Sequence, residues 1–173
     1  FIYKLNCILP LDIRILSKVQ KSGFHARKNA LRKSYRYQIH LGPKESPFLS
    51  EYAWSMNSSL DVKAMQNAAT HLVGTYDFTS FCASDSCAQN KTRTIESIQI
   101  EFDSKKSFFD LSNDQMLIIE VIGTGFLKQM VRNIVGTLVD IGLRKTKPND
   151  MIKIRDSKDR KTAGKTAPAK GLF

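Results

Sequence analysis

The sequence predicts an α+β fold, with a mainly antiparallel sheet and flanking helices, on three observations. Several short stretches alternate apolar and polar residues with the two-residue period of strands. One of them, 92–103, is joined across a polar loop to a denser apolar stretch, 115–123, as in an antiparallel meander. The helical patterns do not alternate one-for-one with strands, so the order β-β-β-α-β-β-α-α does not suit a doubly wound α/β sheet. At 173 residues the chain fits one domain, or one and a half, and is long enough to bury a real core.

The elements can be taken in order. "DIRILSKVQK" (12–21) has short apolar alternation and reads as a strand. "SYRYQIHLG" (34–42) alternates more cleanly, with Tyr35, Tyr37, Ile39 and Leu41 on one face, and Gly42-Pro43 ends it. "EYAWSM" (51–56) is a third strand. A helix follows with Asp61 as N-cap, an apolar side of Val62, Met65, Ala69, Leu72 and Val73, and Gly74 as its C-terminal stop. The meander then leads into an amphipathic helix over 126–139. Its apolar stripe is wide, because Phe126, Met130, Ile134, Leu138 and Leu127, Val131, Val135, Val139 form two adjacent i+4 rows. A short helix spans 149–157, and the tail "DRKTAGKTAPAKGLF" suits a loop.

The net charge of +11 is concentrated in two blocks. Residues 14–36 carry eight basic and no acidic side chains, and residues 144–173 carry ten basic against three acidic. The stretch between them, 37–143, is slightly acidic, at −4. That distribution favours a polyanionic partner, although charge alone fits solvated basic segments equally well. Three cysteines, Cys7, Cys82 and Cys87, make no disulfide framework and have no zinc spacing, so no metal is expected. No apolar run approaches 18 residues and the opening "FIYKLNCILPLDI" is too short and broken for a signal peptide. The expectation is a cytoplasmic chain without a membrane partner.

Four features could carry chemistry. "GTGFLK" after a strand matches two glycines, Gly123 and Gly125, of a dinucleotide fingerprint, but Lys128 stands where the third belongs. A tight strand-to-helix turn explains those glycines better. Lys128 and Arg132 occupy the first turns of the helix read over 126–139, where the dipole disfavours cations by about 0.3–1 kcal/mol each. Arg132 lies at the edge of the apolar stripe, which suits either an ordinary snorkelling arginine or one held for an anion. Tyr35 shares a face with Tyr37, Ile39 and Leu41, as a packed residue would, yet it sits among Arg27, Lys28, Arg32, Lys33 and Arg36. Aromatics interleaved with cations are how unstacked bases are held. His25 in "FHAR" and Asp77 in "GTYDFTSF" stay open, the latter as a turn cap or an RNA-loop contact.

Six stretches, taken in order, resemble the TruA family of tRNA pseudouridine synthases: "NCILPLDIRI" (6–15), "FHARKNALRKSYRY" (24–37), "LVGTYDFTSF" (72–81), "RTIESIQI" (93–100), "GTGFLKQMVRNIVGTLVDIG" (123–142) and "KDRKTAGKTAPAKGL" (158–172). The resemblance implies the pseudouridine synthase fold and a cofactor-free isomerase that converts uridine to pseudouridine in the tRNA anticodon stem-loop. It implies that Tyr35 stacks on the target uracil and helps remove the C5 proton, and that Arg132 pairs with the catalytic aspartate. It makes Phe24, His25, Arg27, Arg32, Lys33, Asp77, Phe78, Lys128, Arg160 and Lys165 the expected substrate contacts. The family also works as a homodimer on its tRNA partner. One departure stands out: the family's aspartate lies in a Gly-Arg-Thr-Asp-Ala-Gly stretch, and none of the eleven aspartates here has that context. The 173 residues are therefore expected to be the C-terminal domain of such a synthase, inactive alone. The alternative is a non-catalytic RNA-binding module built on the same basic blocks.

Overall fold

The computed structural model describes residues 1–26, 29–103 and 114–173. They form two compact units, residues 1–30 and 31–173.

The first unit holds one helix, α1 (Ile2–Ile8), which the sequence reading did not include. None of its residues is buried, so it lacks the one-sided apolar pattern that would have revealed it. Asn6 ties the chain's return to the helix: its side-chain amide donates to the Ile15 carbonyl at 3.0 Å and accepts the Ile15 N–H at 2.8 Å. The strand expected over 12–21 is not formed. A strand exists only through a ladder partner, and residues 13–20 have none among the described residues.

The second unit is a five-stranded sheet covered on one face by helices. Its strands are β1 (Lys33–Leu41), β2 (Trp54–Met56), β3 (Gly74–Asp77), β4 (Thr92–Phe102) and β5 (Gln115–Gly123), in the spatial order β2-β1-β5-β4-β3. Every pairing is antiparallel except β1 with β2. The expected meander is β4–β5, with Ile100 opposite Ile119 and Ile98 opposite Val121. β5 is antiparallel to both its neighbours, so the dinucleotide reading of "GTGFLK" loses its parallel βαβ frame. Arg36 of β1 also exchanges backbone hydrogen bonds with Phe173, at 2.9 and 2.8 Å.

Helix α2 (Val62–Thr70) has the expected cap, Asp61 accepting the Ala64 N–H at 3.0 Å. It stops at Thr70, and Gly74, with φ +127°, opens β3 instead of ending the helix. Helix α3 (Met130–Gly142) starts four residues later than its apolar pattern suggested. Gln129 adopts a left-handed conformation, φ 59°, and breaks the helical path. Lys128 therefore lies before the helix, outside its first turn. Helix α4 (Asp150–Asp156) falls inside the expected range.

Tyr37, Ile39, Leu117, Ile119 and Val121 form the sheet's side of the core, with Met65 and Leu72 from α2 and Met130, Ile134 and Leu138 from α3. Each large apolar side chain so buried contributes about 1.5–3 kcal/mol. Tyr35 and Tyr37 lie on this helix-facing side, and their face leads to the site.

Candidate active site

Tyr35, the third residue of β1, is half-buried and opposite Val121. The β5 strand ends at Gly123, and the turn after it brings Phe126 edge-on to Tyr35, with centroids 5.2 Å apart and planes at 86°. That geometry is the favoured one for aromatic pairs, and it fixes the Tyr35 ring from one side. Gly123 is needed here because a Cβ would meet the Thr94 carbonyl oxygen at 2.5 Å and the Phe126 ring at 3.2 Å.

Arg132 is the third residue of α3 and is half-buried. Its Nε donates to the Ala167 carbonyl at 2.6 Å, while the Ala167 N–H donates to the Arg132 carbonyl at 3.1 Å. The carbonyl dipole offsets the cost of a cation at the start of a helix. Among the described residues no carboxylate forms an ion pair with Arg132.

Tyr37 links these two residues. It is fully buried, and its hydroxyl donates to the Pro168 carbonyl at 2.6 Å, one peptide beyond the carbonyl that holds Arg132. Burial pushes the Tyr37 phenol above its ordinary range, and the Arg132 charge pulls it part of the way back. Tyr37 thus stays a neutral donor. Tyr35, Phe126, Tyr37, Arg132 and the 167–168 peptide form one seam between β1 and the start of α3.

The segment 163–168 is strapped across α3. Gly136 makes room for it, because a Cβ there would run into the Lys165 carbonyl oxygen. Asn133 is fully buried; its amide donates to the Phe81 carbonyl at 2.7 Å and its oxygen accepts from Thr166 at 2.7 Å and Arg160 at 3.0 Å. Thr137 donates to the Asn133 carbonyl and accepts the Gly164 N–H, at 2.8 and 2.9 Å.

The other expected contacts are placed unevenly. Lys33 and Lys165 are exposed. Arg32 pairs with Glu96 at 2.8 Å, and Lys128 with Asp85 at 2.6 Å. Asp77 makes the turn cap that was one of its two readings: its carboxylate accepts from the Thr79 N–H at 3.0 Å and hydroxyl at 2.6 Å, with Lys158 at 3.3 Å. The Thr79 bonds, then Lys158, hold that carboxyl below its ordinary range. Phe78 corrects its expectation. Its ring is fully buried against Tyr76 and Phe81, so it has no face to offer a nucleic acid. Phe24 and His25 belong to the first unit and are exposed there, and Arg27 lies outside the described residues. Among the described residues no group of three or more His, Cys, Asp or Glu is gathered to hold a metal, and no helix is long and apolar enough to cross a membrane.

Sequence reasoning missed Phe126, Tyr37 and the Asn133–Thr137–Thr166 network. A signal existed for the network: Asn133 and Thr137 are polar at i, i+4 within an otherwise apolar helix, with Gly136 beside them.

Comparison with known proteins identifies the family. A family model described as tRNA pseudouridine synthase matches residues 68–173. The chain is 41% identical over 172 residues to "tRNA pseudouridine synthase A" of Bacillus velezensis, covering 99% of this chain and 66% of that protein. A protein of the same name from Shouchella clausii is 43% identical over 169 residues, covering 97% and 61% of the two chains. The Acetivibrio thermocellus protein is 39% identical over 174 residues, covering 100% and 67%. The chain thus spans 61–67% of the length of these relatives. With the β1–α3 seam in place and the matched family model covering both α3 and the strap that crosses it, the chain belongs to the tRNA pseudouridine synthase family.

Proposed function

We propose that the protein to which this chain belongs is an isomerase that converts uridine to pseudouridine in the anticodon stem-loop of tRNA. The observation that carries this reading is the setting of Tyr35 and Arg132 on either side of Tyr37. Phe126 packs edge-on against the first, and the Ala167 carbonyl receives the second next to the Pro168 carbonyl that takes the Tyr37 hydroxyl. The target base must leave its stack at a cost of a few kcal/mol, which ring stacking and phosphate contacts offset. Tyr35 supplies the ring. Arg132 supplies the cation for an aspartate that comes from the part of the relatives' length this chain does not span. An ion pair of that kind lowers a carboxyl pKa by about 1–3 units and keeps it ionised for attack. The carboxylate attacks the nucleoside, the N-glycosidic bond breaks, and the uracil turns. C5 bonds to the ribose as the bond to the aspartate is released, the C5 proton leaves to solvent with Tyr35 assisting, and N1 takes up a proton from solvent. No electrons are gained or lost overall, so the reaction as proposed calls for no cofactor or metal.

In this reading the 173 residues are the C-terminal domain and have no turnover alone. Lys33, Arg32, Lys128 and Lys165, with Phe24, His25 and Arg27, contact the RNA of a cytoplasmic homodimer. Asp77 serves the RNA only through the loop it shapes. The test is Arg132→Met in the complete protein, measured by release of tritium from uracil C5 of a labelled tRNA. Turnover should fall by about a thousandfold or more, with tRNA affinity within about twofold of the wild type. Normal turnover would overturn the reading and leave the alternative, a non-catalytic RNA-binding module, which the two basic blocks alone would satisfy.

A further inference from the structure

We propose that Arg160 is a positioning residue for Arg132, acting through the 163–168 strap, and not a contact for RNA phosphate. The inference rests on the role given to Arg132 under the proposed function. Arg160 belongs to a single turn of 3₁₀ helix, Arg160–Thr162, and its guanidinium is directed into the protein. One terminal nitrogen donates to the carbonyls of Gly164 and Ala163, at 2.9 and 3.3 Å. The other donates to Asn133 Oδ1 and Thr166 Oγ1, both at 3.0 Å. Both ends of the planar fork are therefore engaged by four neutral oxygens. A phosphate-binding arginine keeps that fork free for the ligand.

The bonds have a direction of consequence. Arg160 joins the strap to Asn133, the residue that follows Arg132 on α3. Asn133 is itself locked to the Phe81 carbonyl, and the Gly164 N–H is fastened to Thr137. A Cβ on Gly164 would meet Asp140 Oδ2 at 2.6 Å and Thr137 Cα at 2.8 Å, so the strap lies flat against the helix backbone. What the strap delivers is the Ala167 carbonyl, the group that receives Arg132 Nε at 2.6 Å. Tyr37 pins the next carbonyl from the sheet side. Two arginines thus hold opposite ends of one short peptide. Arg160 shapes it, and Arg132 reads its shape.

Lysine in place of Arg160 keeps the charge and loses the fork. In the complete protein, Arg160→Lys should lower kcat by about ten- to a hundredfold, the scale of a misplaced catalytic group. KM, the tRNA dissociation constant and the slope of its logarithm against log salt should stay as in the wild type. Thr166→Val, which removes one of the four acceptors and no charge, should lower kcat in the same direction by a smaller factor. It is the deciding variant if Arg160→Lys does not fold. A weakened tRNA affinity with unchanged kcat, in a variant Arg160→Gln whose salt slope falls by about one, would overturn the proposal in favour of a phosphate contact. Unchanged kcat in Thr166→Val or in folded Arg160→Lys would overturn it as well. If Arg132→Met is inactive while the Arg160 and Thr166 variants turn over normally, only this inference falls. If Arg132→Met turns over normally, the proposed function falls and this inference with it.

Discussion

In residues 144–173, cation after cation has a partner from the fold. Arg144 meets Asp61, Lys145 meets Asp140, Lys153 meets Asp150, Lys158 meets Asp77, and Lys170 meets Glu45. Arg155 pairs with Asp156, lies over the Tyr76 ring at 3.8 Å and donates to the His71 carbonyl. Arg160 closes the strap. Residues 14–36 carry a similar excess of charge and hold it differently. There Arg32 pairs with Glu96 and Arg36 with Asp103, Arg14 caps nearby carbonyls, Lys18 lies over the Phe1 ring, and Lys21 and Lys33 are exposed. Charge counts made the two blocks look like equal halves of one polyanion-binding surface. The geometry separates them by degree: six of the ten C-terminal cations lie on a carboxylate of the fold, against Arg32 and Arg36 among the described residues of the N-terminal block. Exposed ion pairs contribute only about 0–1 kcal/mol each, so the pairing matters less for stability than for how many cations remain for RNA.

The largest effect expected along this line comes from the strap. Gly136→Ala puts a methyl into the Lys165 carbonyl and must lift the peptide that holds Arg132. Turnover of the complete protein should fall by about a hundredfold, with a stability loss of about 1–3 kcal/mol in denaturant titration. Full activity would mean that the C-terminal block is not organised for the site. A middle-sized effect separates the blocks directly. Lys33→Gln should weaken tRNA binding severalfold and lower the salt slope by about one. Lys145→Gln, whose charge faces Asp140, should change that slope little. Equal losses in both would erase the distinction. The smallest effect concerns Asp77. Its carboxyl is depressed in the folded state, so its stabilisation is present above the unfolded pKa of about 3.9 and is lost as pH falls through the folded value. Asp77→Ala should cost about 0.5–1 kcal/mol at pH 7, and the gap to the wild type should close in denaturation curves recorded well below pH 4.

Much of the sheet was legible because its signals are local. β1 and β4 alternate cleanly, β5 is a dense apolar run bounded by polar residues and glycine, and Asp61 announces α2. The failures share a physical cause. Residues 12–21 have a strand's alternation, but the ladder that makes a strand is not written in the strand itself. β3 is four residues long and hidden behind a glycine that also reads as a helix stop. The start of α3 was misplaced because Gln129, an ordinary residue in sequence, takes a left-handed conformation. Tyr35 and Arg132 came from family resemblance; read as residues, both were explained equally well as packing. The strap was out of reach of any window, since Asn133 and Thr166 are 33 positions apart.

That distance has a counterpart in time. The Tyr37–Pro168 bond joins residues 131 positions apart, and the last residue, Phe173, pairs with Arg36. Contacts this distant close late, because loop entropy is lost before they can form. During synthesis β1 is among the first elements of the second unit to emerge, yet the seam around it is completed only when residues 167 and 168 follow. A nascent chain therefore carries Tyr35 long before it can hold Arg132 in place, and the seam closes only 131 positions after Tyr37 has been made.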